Sequence, residues 1–526
     1  MDTTADQIEA YVAEMRRYLK ENASLAAVLA SLAIAAYGFE LFNLNLTIDE
    51  EVQAFLPYGR HYISHGRWGL FLLNKFLLPF PVIPFVPLFI ALVFHIGAVL
   101  MLLYCWEVES KLDRFVAGAL GVAYPGMAYF YMFSISNYAI GIGLFCSALS
   151  LFLFTRISGR SRFFSVIPAV LALSIYQAFT VVLAAAFLVR IMSSGLRNGR
   201  KELNLRNIAE ILLVGAVSFV IYYLINRVFL TVSGIPMTYV DQILDFSYLR
   251  ENTAAVLSGT LEMVRDVYGG SRTIYATEVR VFGIIVILSL FGLIVTVLRS
   301  SLKTSRRLLV FLLAVLLLLL PFVVGLFTRG SIPVRFMVAL PVVISGVAVL
   351  GMRAQARNFR LLMGLSVLYC VFQFVVSINY LNSSSHLALQ ADRLLASHVI
   401  SRIEDARVAA GLQELKYLDV VGYRERPPSP LMPKSDTFGA SFFEWDQGNA
   451  WRVIFFLRTL GYYNSVEALP VERRGRMFET ASAMPHWPAP GSVEIDGDAV
   501  IVKFSDYSLL QKKEICDATQ NPEFCK

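Results

Sequence analysis

The chain has 526 residues, 56% of them hydrophobic and 16% charged, with a formal net charge of +7. So few charges cannot solvate so much apolar surface, which excludes a soluble globular enzyme and points to a polytopic α-helical membrane protein. The positive balance is no nucleic-acid signature, because the basic residues sit in short stretches between apolar runs, where they set topology.

In chain order, residues 1–24 ("MDTTADQIEAYVAEMRRYLKENAS") are polar and periodic. Ile8, Tyr11, Val12, Met15 and Leu19 fall at helical spacing, which predicts an amphipathic helix at the cytoplasmic membrane surface or a short solvated one. No cleavable signal peptide is expected, and the first apolar run acts as an anchor. Spans are expected at about 25–43, 83–105, 115–133, 139–155, 208–231, 280–298, 308–327, 336–352 and 360–380. The segment 163–192 is long for one span and has basic flanks on both sides, so it reads as two short helices turning near Tyr176 and Gln177. That gives eleven spans within 25–380.

The connections "RISGRSR" (156–162), "GLRNGRKELNLR" (195–206), "LRSSLKTSRR" (298–307) and "GMRAQARNFR" (351–360) are basic and are expected inside. The first loop (44–82) and the 232–279 loop are then outside. So is the tail, 381–526, which reads as a small α/β domain. In it "ELKYLDVVGY" and "DAVIVKFSDY" are strand-like, and "NAWRVIFFLRTLGYY" is an apolar helix. Cys105, Cys146 and Cys370 lie in apolar runs as small hydrophobes. Cys516 and Cys525, in the polar end of an outward tail, are placed to form a disulfide.

The first outer loop carries three consecutive acids, Asp49, Glu50 and Glu51, followed by His61, His65, Arg67 and Trp68. The bland reading is that Asp49 caps a helix starting at Glu50. On the same expected face, "FTRGSIPVRF" places Arg329 and Arg335 against the positive-inside trend, and "YGGSRTIY" adds Arg272. Guanidinium groups suit a phosphate, and a nearby carboxylate suits proton removal from an attacking hydroxyl. Snorkelling interface anchors are the alternative for the arginines. Asn137, Tyr176 and Gln177 either touch a sugar hydroxyl or satisfy freed backbone groups. His61 and His65 at i and i+4 admit a divalent metal, but no metal or other cofactor is expected to be needed. No nucleotide or zinc-protease motif is present (GxGxxG, Walker A, HExxH).

An outer-loop acid pair after the first span, "GRW" (66–68), "YQ" (176–177) and a late "R…PxR" (329–335) together resemble the Gtr-type glucosyltransferases of bacterial O-antigen modification. The resemblance implies a GT-C-like membrane domain and a polyprenyl-phosphate-sugar donor, usually undecaprenyl phosphate glucose. It also implies transfer at the periplasmic face of the inner membrane to lipid-linked O-antigen or another surface glycan. Carried over by position, Asp49 with Glu50 supply the base, Arg329 and Arg335 hold the donor phosphate, and Arg67, Trp68, Tyr176 and Gln177 contact substrate; the reading of the residues themselves adds Arg272 to the phosphate site and His61 and Asn137 to the substrate contacts. The alternatives are a lipid-linked oligosaccharide flippase or a glycan ligase or polymerase.

Overall fold

A computed structural model describes residues 4–55, 57–79, 82–157, 159–198, 205–237, 246–330, 333–353 and 355–519. It divides into two compact units, Met1–Leu44 with Pro57–Tyr380, and Asn45–Leu56 with Leu381–Lys526. Cys525 lies outside the described residues, and Cys516 is disulfide-bonded. Cys105, Cys146 and Cys370 are free and buried.

The protein is a helical membrane protein. Eight described helices are long and apolar enough to cross a bilayer: Ala23–Phe42, Val86–Cys105, Asn137–Arg156, Phe179–Arg197, Arg206–Ser233, Arg280–Arg299, Thr304–Phe327 and Arg357–Ala409. Ser161–Ile175 and Leu340–Met352 are apolar but shorter. A helix satisfies its own backbone groups, which lipid cannot do. Two of the departures from eleven full-length spans have local causes. The expected 115–133 span is not continuous. Its helix, Lys111–Ala123, stops because Tyr124 precedes Pro125 and takes an extended conformation (φ −63°, ψ 122°). The expected 336–352 span begins only at Leu340, with Pro341 in its first turn.

Helix contacts in the first unit are close where glycine allows it. A Cβ on Gly141 would lie 2.4 Å from the carbonyl oxygen of Ala91, and one on Gly292 would lie 2.1 Å from that of Gly351. Those approaches bring Asn137–Arg156 against Val86–Cys105, and Arg280–Arg299 against Leu340–Met352. The 163–192 segment does form two helices, Val166–Ile175 and one starting at Phe179, with Tyr176 extended between them (φ −158°, ψ 124°). The 232–279 connection is not an irregular loop; it contains the 17-residue helix Thr253–Gly269.

The second unit holds a four-stranded sheet of β1 (Tyr417–Val421), β2 (Glu467–Ala468), β3 (Val493–Asp496) and β4 (Ala499–Lys503) in the order β2-β1-β4-β3. β1 runs parallel to β2 and β4, and β3 and β4 form an antiparallel hairpin. Gly497, at φ +61°, makes the two-residue turn between them. Every residue of β4 is buried, as expected of a strand covered on both faces. The apolar helix Ala450–Thr459 packs on this sheet through Val453, Phe456 and Leu457. The helix Arg357–Ala409 has no break where the sequence reading changes element at 381. "NYLNSSSH" (379–386) is polar but has neither proline nor glycine to stop it, and the turn ends only at Gly411 (φ +66°). The segment 45–56 belongs to this second unit because Ile48, 3% exposed, is part of its core with Val453, Phe456 and Val500.

Candidate active site

The acid triple sits where the chain turns out of the second unit's core. Ile48 is buried, Asp49 takes a left-handed backbone conformation (φ 82°, ψ −24°), and a four-residue helix, Glu50–Gln53, follows. Asp is among the few residues that tolerate this conformation. Asp49 occupies the N-cap position, yet its side chain makes no capping hydrogen bond. It is exposed, and its Oδ1 accepts from Arg452 Nη2 at 3.2 Å.

The other two acids are buried completely. Glu50 Oε2 accepts from the backbone N–H of Thr47 at 3.0 Å and closes the turn. Glu51 Oε1 pairs with Arg452 Nη1, while its Oε2 has no hydrogen-bond partner among the described residues. Burial pushes the Glu51 carboxyl up to about 7, against the opposing pull of Arg452. Arg452 also holds Asp446, with Nη2 at 2.8 Å and Nε at 3.0 Å from Oδ2. One guanidinium therefore fastens three carboxylates and leaves only Asp49 of the triple open to solvent.

The first unit brings "GRW" and "YQ" together. The Arg67 guanidinium lies 4.7 Å from the centre of the Tyr176 ring. Gln177 Nε2 donates to the carbonyl of His65 at 2.6 Å and to Tyr222 Oη at 3.0 Å, and Tyr222 donates to the carbonyl of Gly66 at 2.9 Å. Gly66 has φ +70°, and a Cβ there would meet Tyr222 Oη at 2.7 Å and Gln177 Nε2 at 2.8 Å. Only glycine fits. Trp68 is buried and stacks on Phe229 at 5.4 Å. Burial, then the charges of Arg67 and His61, push His65 down to about 3, which keeps it neutral. The His61 and His65 rings are 5.6 Å apart. Among the described residues, no group of three or more His, Cys, Asp or Glu is arranged to hold a metal.

The late arginines go to different neighbours. Arg335 lies half-buried in the short turn Val334–Phe336, and Phe336 stacks on Tyr176 at 6.2 Å, so this turn joins the Arg67 cluster. Arg329 is exposed at φ +59° and lies over the Tyr248 ring at 5.2 Å, within the 232–279 connection. Arg272 is exposed at the start of the short helix Arg272–Tyr275. Asn137 is buried at the start of its helix and donates to the carbonyl of Tyr131 at 3.0 Å, closing the turn before it.

Residues 38–352, more than half of the chain, match the family of glucosyl transferase GtrII. The chain belongs to the GtrII family. It is therefore a membrane-embedded glycosyltransferase, and the matched region takes in Asp49, "GRW", "YQ" and both late arginines. No curated protein matches it. The part of this GtrII member that holds Arg452 lies beyond the matched residues. Sequence reasoning missed Arg452, Tyr222 and Phe336. The one available signal was an arginine in the first turn of the largely apolar helix "AWRVIFFLRT".

Proposed function

We propose that this GtrII member transfers a single glucose from a polyprenyl phosphate donor, undecaprenyl phosphate glucose, to lipid-linked O-antigen or another surface glycan. The reaction takes place at the periplasmic face of a bacterial inner membrane. The acceptor hydroxyl oxygen attacks the anomeric carbon, the bond from that carbon to the phosphate oxygen breaks, and the configuration inverts. The hydroxyl proton passes to the Asp49 carboxylate, and the electron pair of the broken bond leaves with the polyprenyl phosphate. Arg335, Arg329 and Arg272 neutralise that phosphate. Arg67 and Tyr176, with Gln177 fixing the backbone before them, contact the sugar or its phosphate. Glu50 and Glu51 hold the loop rather than the substrate.

The observation that carries this reading is the exposure of Asp49 beside two wholly buried neighbours. A general base must reach the proton it removes. The purified chain in proteoliposomes, given a panel of polyprenyl phosphate sugars, is expected to consume the glucose donor and release polyprenyl phosphate. Consumption of none of the panel overturns the reading.

A further inference from the structure

The second unit contains a cleft of 680 Å³ to which no role has yet been given. One wall is a face of the helix Arg357–Ala409 carrying Asp392, Leu395, His398, Arg402 and Asp405, spaced three or four residues apart. The other walls are the proline-rich stretch from Arg424 to Met432 and the Trp487-Pro488 pair. Its size is in the range of small-molecule sites, about 300–1,000 Å³.

The cleft's chemistry is specific. Arg402 and Arg424 are exposed, and neither has an ion pair among the described residues. The Arg402 guanidinium lies 5.9 Å from the Trp487 ring centre. Arg426 turns inward and donates to the carbonyl of Gly439, which shapes the proline-rich wall, while its Nε is buried without a hydrogen-bond partner among the described residues. Asp392, 2% exposed, forms the floor and accepts from Ser441 Oγ at 2.6 Å and from the Phe442 N–H at 2.8 Å.

Two accessible guanidinium forks call for a carboxylate or phosphate. An indole and three prolines, Pro427, Pro428 and Pro488, offer flat apolar surface for the C–H face of a sugar ring. Ser401, Ser429, His398 and Asp405 add donors and acceptors that match hydroxyls. A surface made for anionic lipid is a run of basic residues on an open face. Here acids alternate with the arginines inside a concavity.

We propose that this cleft binds an acidic saccharide, a carboxylate-bearing stretch of the acceptor glycan away from the hydroxyl that is attacked. The proposal rests on the reading above that the acceptor is a glycan, and it adds that this glycan is anionic.

The test is equilibrium dialysis of the full chain in uncharged phosphatidylcholine nanodiscs, without donor. The probes are trigalacturonic acid, maltotriose and inorganic phosphate. Trigalacturonic acid is expected to bind saturably and at least tenfold tighter than either of the others. Arg402→Gln combined with Arg424→Gln should weaken it tenfold or more, and Arg402→Lys less. The two arginines are exposed, so an unchanged unfolding midpoint confirms that the variant folds. Equal binding of the two saccharides, phosphate binding as tight as the saccharide's, or no effect of the double variant overturns the proposal. So does binding of phosphatidylglycerol vesicles that the double variant abolishes when no saccharide binds. Saccharide binding in a protein that transfers no glucose would leave the cleft assigned and overturn the transfer reading alone.

Discussion

Arg452 Nη2 and Asp49 Oδ1 lie 3.2 Å apart, although 403 positions separate them in the chain. The same guanidinium pairs with the buried Glu51. The loop that follows the first apolar helix is thus fastened by a residue from the far end of the sequence, and the only solvent-facing acid of its triple is held by a cation.

Removing Arg452 tests that fastening. Arg452→Met leaves Glu51 buried without its cation, and breaking a buried pair in this way costs about 3–5 kcal/mol. The variant's midpoint in chemical or thermal unfolding should fall accordingly above pH 7, and transfer activity should fall with it. Arg452→Lys should recover part of the stability but not the simultaneous hold on Asp49, Glu51 and Asp446. A midpoint unchanged in Arg452→Met would show that the loop is held by Ile48 and its apolar neighbours alone.

Glu51 gives the fold a pH dependence of known sign. Its carboxyl titrates at about 7 in the folded chain against 4.5 for an ordinary glutamate. Between those values the folded chain binds more protons than the unfolded one, so Glu51's contribution falls as pH rises through that window. The difference is on the order of 3 kcal/mol. Glu51→Gln should flatten the decline in unfolding midpoint between pH 5 and pH 8. An equally steep decline in the variant would assign the effect to another group.

The Gly66 turn should tolerate no side chain. Gly66→Ala combines a left-handed backbone with contacts under 3 Å to Tyr222 and Gln177, a cost of about 1–3 kcal/mol. Tyr222→Phe removes the hydrogen bond to the Gly66 carbonyl and the one accepted from Gln177 Nε2, about 1 kcal/mol each. Both should reduce glucose transfer, Gly66→Ala more, because each moves Arg67 relative to Tyr176. Unfolding midpoints and initial rates of the two variants check the order.

Much of this was legible in the sequence. The apolar runs announced a membrane protein, and "YQ" was readable as a hairpin turn because basic residues flank both ends of 163–192. "GRW" and "YQ" were recognisable as separate motifs, and they do meet, through Arg67 and Tyr176. Periodicity could not reveal that Pro125 ends a helix whose apolar pattern continues. It could not reveal either that polar residues 379–386 stay helical. Which acid of the triple faces water was also hidden. Adjacent residues on a short helix point in different directions, and the choice depends on the left-handed conformation at Asp49 and on Arg452, both set by long-range packing. The 45–56 segment joined a distant sheet through Ile48, an isoleucine indistinguishable in sequence from those of the membrane helices.

The most direct test of the account is the rate of glucose transfer from undecaprenyl phosphate glucose by Asp49→Asn in proteoliposomes, measured beside Glu50→Gln and the unaltered chain. Asn keeps the size of the side chain and its bond to Arg452 but cannot take the proton. Asp49→Asn is expected to lose a factor of about 10²–10⁴ in rate with its unfolding midpoint preserved, while Glu50→Gln loses stability first. Full activity in Asp49→Asn would contradict the assignment of the proton to this carboxylate.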